Sequence, residues 1–191
     1  MSLVARNKDN YSFRDRLEYG LKFENTVETT FKKLGIPIYP YGFGSLPDSA
    51  KEQLIKLNDP TSLLLRFAPD FFCVTEQFSF FIECKSSMEQ TPNYSYNLDC
   101  YNAGLELARL GIKILTIFDG LHAQWVHKLR LSRVCEGSSK GSGKPYILIP
   151  KKDLPDLFSF LSREQIKGNR TQRSRLALNQ LSGLGSFPDF L

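Results

Sequence analysis

Histidine and closely spaced cysteine are scarce in this chain, and the scarcity excludes several chemistries. The two histidines, His122 and His127, are too few and too poorly placed for a histidine metal site. The four cysteines, Cys73, Cys84, Cys100 and Cys135, form no Cys-x-x-Cys pair. Zinc and iron–sulfur spacings are therefore absent, and the cysteines read as reduced thiols, mostly in the core. No Ser-His or Cys-His arrangement suggests an activated side-chain nucleophile. No apolar run approaches the roughly 20 residues needed to span a bilayer. The start, MSLVARNKDNYSF, lacks the apolar centre of a secretory signal. The expected compartment is the cytoplasm: the nucleoid within it, or a host cytoplasm for a viral chain. No internal repeat is visible. The segment GSSKGSGKP (137–145) only imitates a nucleotide-binding loop. Ser138 stands at the first Gly position, Pro145 at the Ser/Thr position, and a strand rather than a helix follows.

The 191 residues are enough for one domain with a sizeable core. Net charge is +5, from 25 Lys and Arg against 20 Asp and Glu, which is compatible with a polyanionic partner. The bases are unevenly spread. Lys140, Lys144, Lys151 and Lys152 cluster, and Arg163, Lys167, Arg170, Arg173 and Arg175 follow against one Glu164. A solvated surface is the usual fate of such a run. Beside a site that handles phosphates, the same bases would make a backbone track, with Lys140, Lys144, Lys151, Arg170 and Arg173 as its candidates.

The densest chemistry lies in RFAPDFFCVTEQFSFFIECKSS. The apolar runs 71–74 and 78–82 flank a short polar break, Thr75-Glu76-Gln77, which reads as a hairpin. Residues two apart on a strand share a face, so Glu83 and Lys85 point one way and Cys84 the other. Folding at the break brings Asp70 roughly opposite Glu83. Two carboxylates and one ammonium then converge at the end of an apolar sheet. Close carboxylates repel unless a cation lies between them. Oxygen ligands of this kind suit Mg²⁺ or Mn²⁺. Pro-Asp occurs four times in the chain, but only Pro69-Asp70 lies between strand-like runs and precedes a Glu-x-Lys, which itself occurs once. A strand end carrying a surface ion pair would leave the same pattern.

A third carboxylate falls within a helical repeat. Leu17, Leu21, Glu24, Val27, Phe31 and Leu34 mark one stripe of a helix over about 14–34. A carboxylate on a core-facing stripe needs a partner. Glu24 either joins the acidic pair or sits at the stripe's edge, paired to an arginine or to water. Glu28 competes one turn on.

Pro69-Asp70 with Glu83-Cys84-Lys85 resembles the PD-(D/E)XK, or restriction-endonuclease-like, nuclease superfamily. The resemblance implies that Asp70 and Glu83 bind Mg²⁺, for which Mn²⁺ substitutes, and that Lys85 assists the attacking water. It implies an acidic residue from the preceding helix, the position that Glu24 matches. It also implies a DNA substrate, 5′-phosphate products and a three-layer α/β/α core with a central mixed β-sheet flanked by helices. Some members carry Gln-x-x-x-Tyr on the next helix. Here Asn97 and Tyr101 occupy that spacing, and helix capping or ordinary packing explains them equally well.

The rest of the chain fits this core. Strands are expected near 62–74 and 78–85, then a helix over 95–110 ending at Gly111. IKILTIF (112–118) reads as a buried strand, and 123–131 and 146–150 as further strands. A short helix is expected at 49–57 and a last one near 153–162. Residues 36–49 read as an ordered loop. The order strand, helix, strand predicts a crossover to a parallel neighbour. One nuclease-like domain over 1–162 would carry a basic extension over 163–191. The absence of an appended recognition domain favours a small structure-specific endonuclease, similar to a Holliday-junction resolvase, working as a homodimer. The alternatives are a noncatalytic nucleic-acid-binding module on the same scaffold, an exonuclease or restriction-type enzyme, or an unrelated α/β protein with a mimicking ion pair.

Overall fold

The computed structural model describes residues 12–87, 91–136 and 144–166. Helix α1 (Phe13–Lys33) begins at a capping box. The Asp15 amide donates to Ser12 Oγ at 3.2 Å and the Ser12 amide to Asp15 Oδ2 at 2.8 Å. It ends just before Gly35, whose φ of 70° only glycine adopts readily. Strand β1 (Ile38–Pro40) follows, then α2 (Asp48–Lys56) and α3 (Pro60–Arg66). The hairpin is β2 (Phe71–Val74) and β3 (Ser79–Lys85). Thr75 closes its turn by donating to the Phe78 carbonyl at 2.6 Å. Beyond it come β4 (Asn93–Asn97), α4 (Leu98–Arg109), β5 (Ile114–Phe118), β6 (His122–Trp125), β7 (Arg133–Cys135), β8 (Tyr146–Pro150) and α5 (Leu157–Arg163).

The main sheet has the order β1-β2-β3-β5-β6. Only β3 and β5 run parallel, joined by the crossover through α4. The sheet is therefore mixed, as expected. Alternation along the strands divides the core in two. Phe80, Ile82, Leu115 and Ile117 face α1 and α5, where Phe23, Val27, Phe31, Leu157 and Phe160 meet them. Ile114 and Phe118 face the other way, toward Tyr101 of α4. Helices thus flank both faces. The second outer layer holds more than a helix, because a three-stranded sheet, β4-β8-β7, packs there through Tyr94, Tyr96, Ile147 and Ile149.

Several expected elements differ. The apolar run 62–66 lies in α3, not in a strand, because Asp59 caps it by accepting from the Ser62 amide at 3.0 Å and Pro60 opens its first turn. Residues 95–97 belong to β4, and the helix starts only at Leu98. Asn97 is its N-cap, accepting from the Asp99 and Cys100 amides at 2.9 and 3.1 Å. The strand expected over 123–131 stops at Trp125 and turns into a single 3₁₀ turn. The loop 36–49 includes the edge strand β1. The first half of the α1 stripe is exposed, Leu17 at 53% and Leu21 at 51%. The helix reaches the core only from Phe23 on. Ile166, past the end of α5, is buried in the core. Among the described residues no helix is long and apolar enough to cross a membrane.

Candidate active site

The hairpin register fixes the first three side chains. Phe71 lies opposite Ile82, so the next pair outward is Asp70 and Glu83. Asp70 Oδ2 accepts the Cys84 amide at 2.7 Å, a charge-assisted bond that ties the start of β2 to the end of β3. Glu83 and Lys85 share the α4 face of β3, and their side chains are in direct contact as an ion pair. Glu83 is only 7% exposed. Cys84 points to the opposite face, against the α1 side of the core.

Glu24 arrives from that opposite layer, at the end of the sheet. It is half-buried, and its carboxyl is pushed up to about 7, first by burial and then by the Asp70 charge, with Lys85 pulling the other way. Burial lifts Glu83 to about 8, Lys85 opposes the rise, and Asp70 and Glu24 add to it. Burial also raises Asp70, against Lys85 and the Cys84 amide. Burial alone would loosen the Lys85 proton, but Glu83 first, then Tyr96, Cys100 and Asp70, together outweigh it and hold that proton well above the usual lysine range. Three carboxylates therefore share one ammonium. Glu28 is not among them, since it pairs with Lys32 at 2.6 Å.

The donor chemistry fits a hard divalent cation. Three mutually repelling carboxylates carry one more negative charge than Asp70 and Glu83 alone, and Lys85 offsets one. Among the described residues no three His, Cys, Asp or Glu side chains are gathered tightly enough to hold one ion together. Mg²⁺ commonly takes only one or two protein carboxylates and fills its octahedron with water and phosphate oxygens. Asp70 and Glu83, with Glu24 beside them, are the residues that would hold it.

Pro69 and Asp70 are positioned from outside the hairpin as well. The Tyr41 amide donates to the Asp70 carbonyl at 2.8 Å. Gly42 adopts φ 33°, and a Cβ there would stand 2.5 Å from the Pro69 carbonyl oxygen. Replacing Gly42 by Ala should thus lower stability by about 1–3 kcal/mol, through strain and the backbone clash. Urea unfolding measures it, and an unchanged midpoint would show that the loop yields without cost.

Of the candidate phosphate contacts two fall among the described residues, Lys144 and Lys151, and Lys151 can be traced to the end of β5. Its ammonium sits over the Tyr94 ring at 4.5 Å and acts electrostatically on Asp119, which follows Phe118. Phe118 is the β5 residue paired with Lys85. Lys144 lies elsewhere, 6.0 Å from the Phe67 ring centroid. Lys140, Arg170 and Arg173 fall outside the described residues, as does most of the basic extension.

Sequence reasoning missed a second ring of residues. Tyr96 lies beneath Lys85, Thr116 pairs with Glu83 across the parallel strands, and Asp119 accepts from the Ser87 amide at 2.7 Å and from Tyr19 of α1 at 3.3 Å. Asp119 thereby links the segment after Lys85 to the helix that carries Glu24. The alternation Tyr94-Ser95-Tyr96 was the available signal for Tyr96, and placing residues 95–97 in a helix obscured it.

No family model matches the sequence, and a search of curated proteins finds no match. Among solved structures the chain is similar to a Holliday junction resolvase from the hyperthermophilic archaeon Archaeoglobus fulgidus, with 12% identity and a TM-score of 0.44, over 75% of this chain and 95% of that one.

Proposed function

We propose that this protein is a metal-dependent nuclease of the PD-(D/E)XK type, hydrolysing phosphodiester bonds in DNA. The observation that carries the reading is the convergence of Asp70, Glu83 and Glu24 on one ammonium, Lys85, at the end of β3. A binding module would have no use for clustered acids facing a phosphate backbone. Asp70, held by the Cys84 amide, and Glu83 would carry the cation. A divalent cation bound there would neutralise charge on the phosphoryl oxygens and lower the pKa of a water. Lys85 would orient that water and meet the charge that develops on the phosphate. The water attacks in line, the 3′ oxygen leaves, and the product carries a 5′-phosphate. Lys151, beyond the end of β5, would engage the backbone next to the cleaved bond.

The finer reading is a structure-specific endonuclease acting on branched DNA as a homodimer, because symmetric cutting of a four-way junction calls for two centres. Cleavage of labelled linear duplex, single-stranded and four-way-junction DNA tests both levels, with Mg²⁺, with Mn²⁺ and with chelator. The Asp70→Ala protein should lose metal-dependent cutting by about 10²-fold or more, the usual scale for losing a group that stabilises the transition state. Equal cutting by Asp70→Ala would end the assignment. Binding without cutting on every substrate would favour the noncatalytic module.

A further inference from the structure

Lys85 is supported from below by an aromatic ring. Its ammonium lies 5.0 Å from the centroid of Tyr96. That ring is 1% exposed. It stands edge-on to Tyr101 of α4, with centroids 5.8 Å apart, and edge-on to Phe118 of β5, with centroids 6.3 Å apart. The backbone beneath it is fixed by the β4–β8 pairing, Tyr96 opposite Ile147. The same strand repeats the device two residues earlier, where Lys151 lies over Tyr94.

A lysine side chain loses much rotamer freedom when it is held in one orientation. The Glu83 contact alone fixes the distance of the ammonium from the acids but not its direction. The face of an aromatic ring attracts a cation and supplies the missing constraint. The phenol hydroxyl also acts electrostatically on Lys85, so the ring and the hydroxyl must be told apart by experiment. The phenol lies close enough to Thr116 to feel the threonine hydroxyl. Yet Thr116 Oγ1, fully buried, completes no hydrogen bond among the described residues.

The geometry points to Tyr96 as a positioning residue, an aromatic floor that holds the Lys85 ammonium beside Glu83 in its working orientation; its part in catalysis rests on the nuclease reading above. The tyrosine reaches the site through a sheet that is separate from the one carrying the acids. Disturbing the ring should thus change the lysine while Asp70, Glu83 and the DNA contacts stay in place.

Tyr96→Phe and Tyr96→Leu test this with two readouts. The first is the NMR shift of the Lys85 ε protons, identified by their loss in Lys85→Arg. Ring currents should move them upfield in the wild type and in Tyr96→Phe, and the displacement should vanish in Tyr96→Leu. The second is cleavage well below the unfolding temperature of each variant. Tyr96→Leu should lose roughly 10-fold in kcat with KM unchanged, and Tyr96→Phe should restore most of it. A purely structural tyrosine would lower Tm in Tyr96→Leu without moving kcat of the folded protein, which overturns the proposal. Unshifted Lys85 protons in the wild type overturn it too, as does an equal loss of kcat in Phe and Leu, which would move the role to the hydroxyl. A wild-type protein that cuts nothing yet shows shifted Lys85 protons supports the anchoring and rejects the nuclease reading.

Discussion

Lys85→Ala should lower the cleavage rate by about 10²–10³-fold while leaving DNA affinity nearly unchanged. The size follows from what the side chain faces. Glu83 touches it, Asp70 and Glu24 lie within its electrostatic reach, and burial shifts all three carboxyls upward against its pull. On the nuclease reading, removing Lys85 takes away an ammonium that would meet charge developing on the phosphate. It leaves the Glu83 carboxyl buried without its ion-pair partner. Breaking a buried pair from one side usually destabilises strongly. Here the cost is softened, because a carboxyl already pushed to about 8 sheds its charge at neutral pH by taking up a proton. The variant should therefore fold, and circular dichroism alongside the cleavage assay separates the two effects. Lys85→Met keeps the apolar stem over Tyr96 and should be as inactive as Lys85→Ala, since the charge is what is lost. Lys85→Arg should recover little, because a planar guanidinium directs its donors differently from an ammonium. Cleavage within a few-fold of wild type in Lys85→Ala would remove the lysine from the mechanism.

The part of this site that could be read in the sequence is the part that local periodicity determines. Asp70, Glu83 and Lys85 lie on one hairpin, and the period of two with a polar break at Thr75 fixes their faces and register. IKILTIF was legible for a related reason, since β5 is buried on both sides and all five of its residues are inaccessible. Glu24 was placed by helical spacing, although the stripe that located it holds only in its second half, where α1 meets the sheet. The segment 60–66 misled because LLLRF carries strand-like apolarity, and its decisive signal is the cap at Asp59 rather than the run itself. Of the small sheet only β8 was legible, as the apolar run YILIP. Strands β4 and β7 are five and three residues long, and β4 finds its partner only beyond α4, β5 and β6, so neither its pairing nor the sheet announces itself locally. Tyr96 belongs to that sheet. The acids and lysine could thus be named from sequence, whereas the floor beneath the lysine needed the tertiary fold.

The metal-free protein should lose stability as the pH rises from 6.5 to 8.5, and Mg²⁺ should restore it. Glu24 and Glu83 carry folded-state values of about 7 and about 8 against an ordinary 4.5. Asp70 is shifted in the same direction. Between their unfolded and folded values these groups bind more protons in the folded chain than in the unfolded one. Stability then falls with rising pH, because the slope follows the protons bound by the unfolded state minus those bound by the native state. Lys85 does not oppose the trend, since its raised value keeps its contribution intact throughout the window. His122 is lowered by burial and then by Lys151, so its contribution has the opposite sign, and it is confined to the low end of the window, where the unfolded imidazole, ordinarily at 6.5, is still losing its proton. A tenfold change in a proton's affinity corresponds to about 1.4 kcal/mol. After solvent screening at half-buried Glu24, about 2 kcal/mol remains across the window. For a chain of this size that lowers Tm by about 4–8 °C. Mg²⁺ at about 100 times its dissociation constant would return about 2.7 kcal/mol at pH 8.5. Thermal unfolding with and without the ion measures both effects, and Glu24→Gln should flatten the pH slope. A Tm that holds steady or climbs over this range would mean that the three carboxylates do not share the repulsion that a bound cation would relieve.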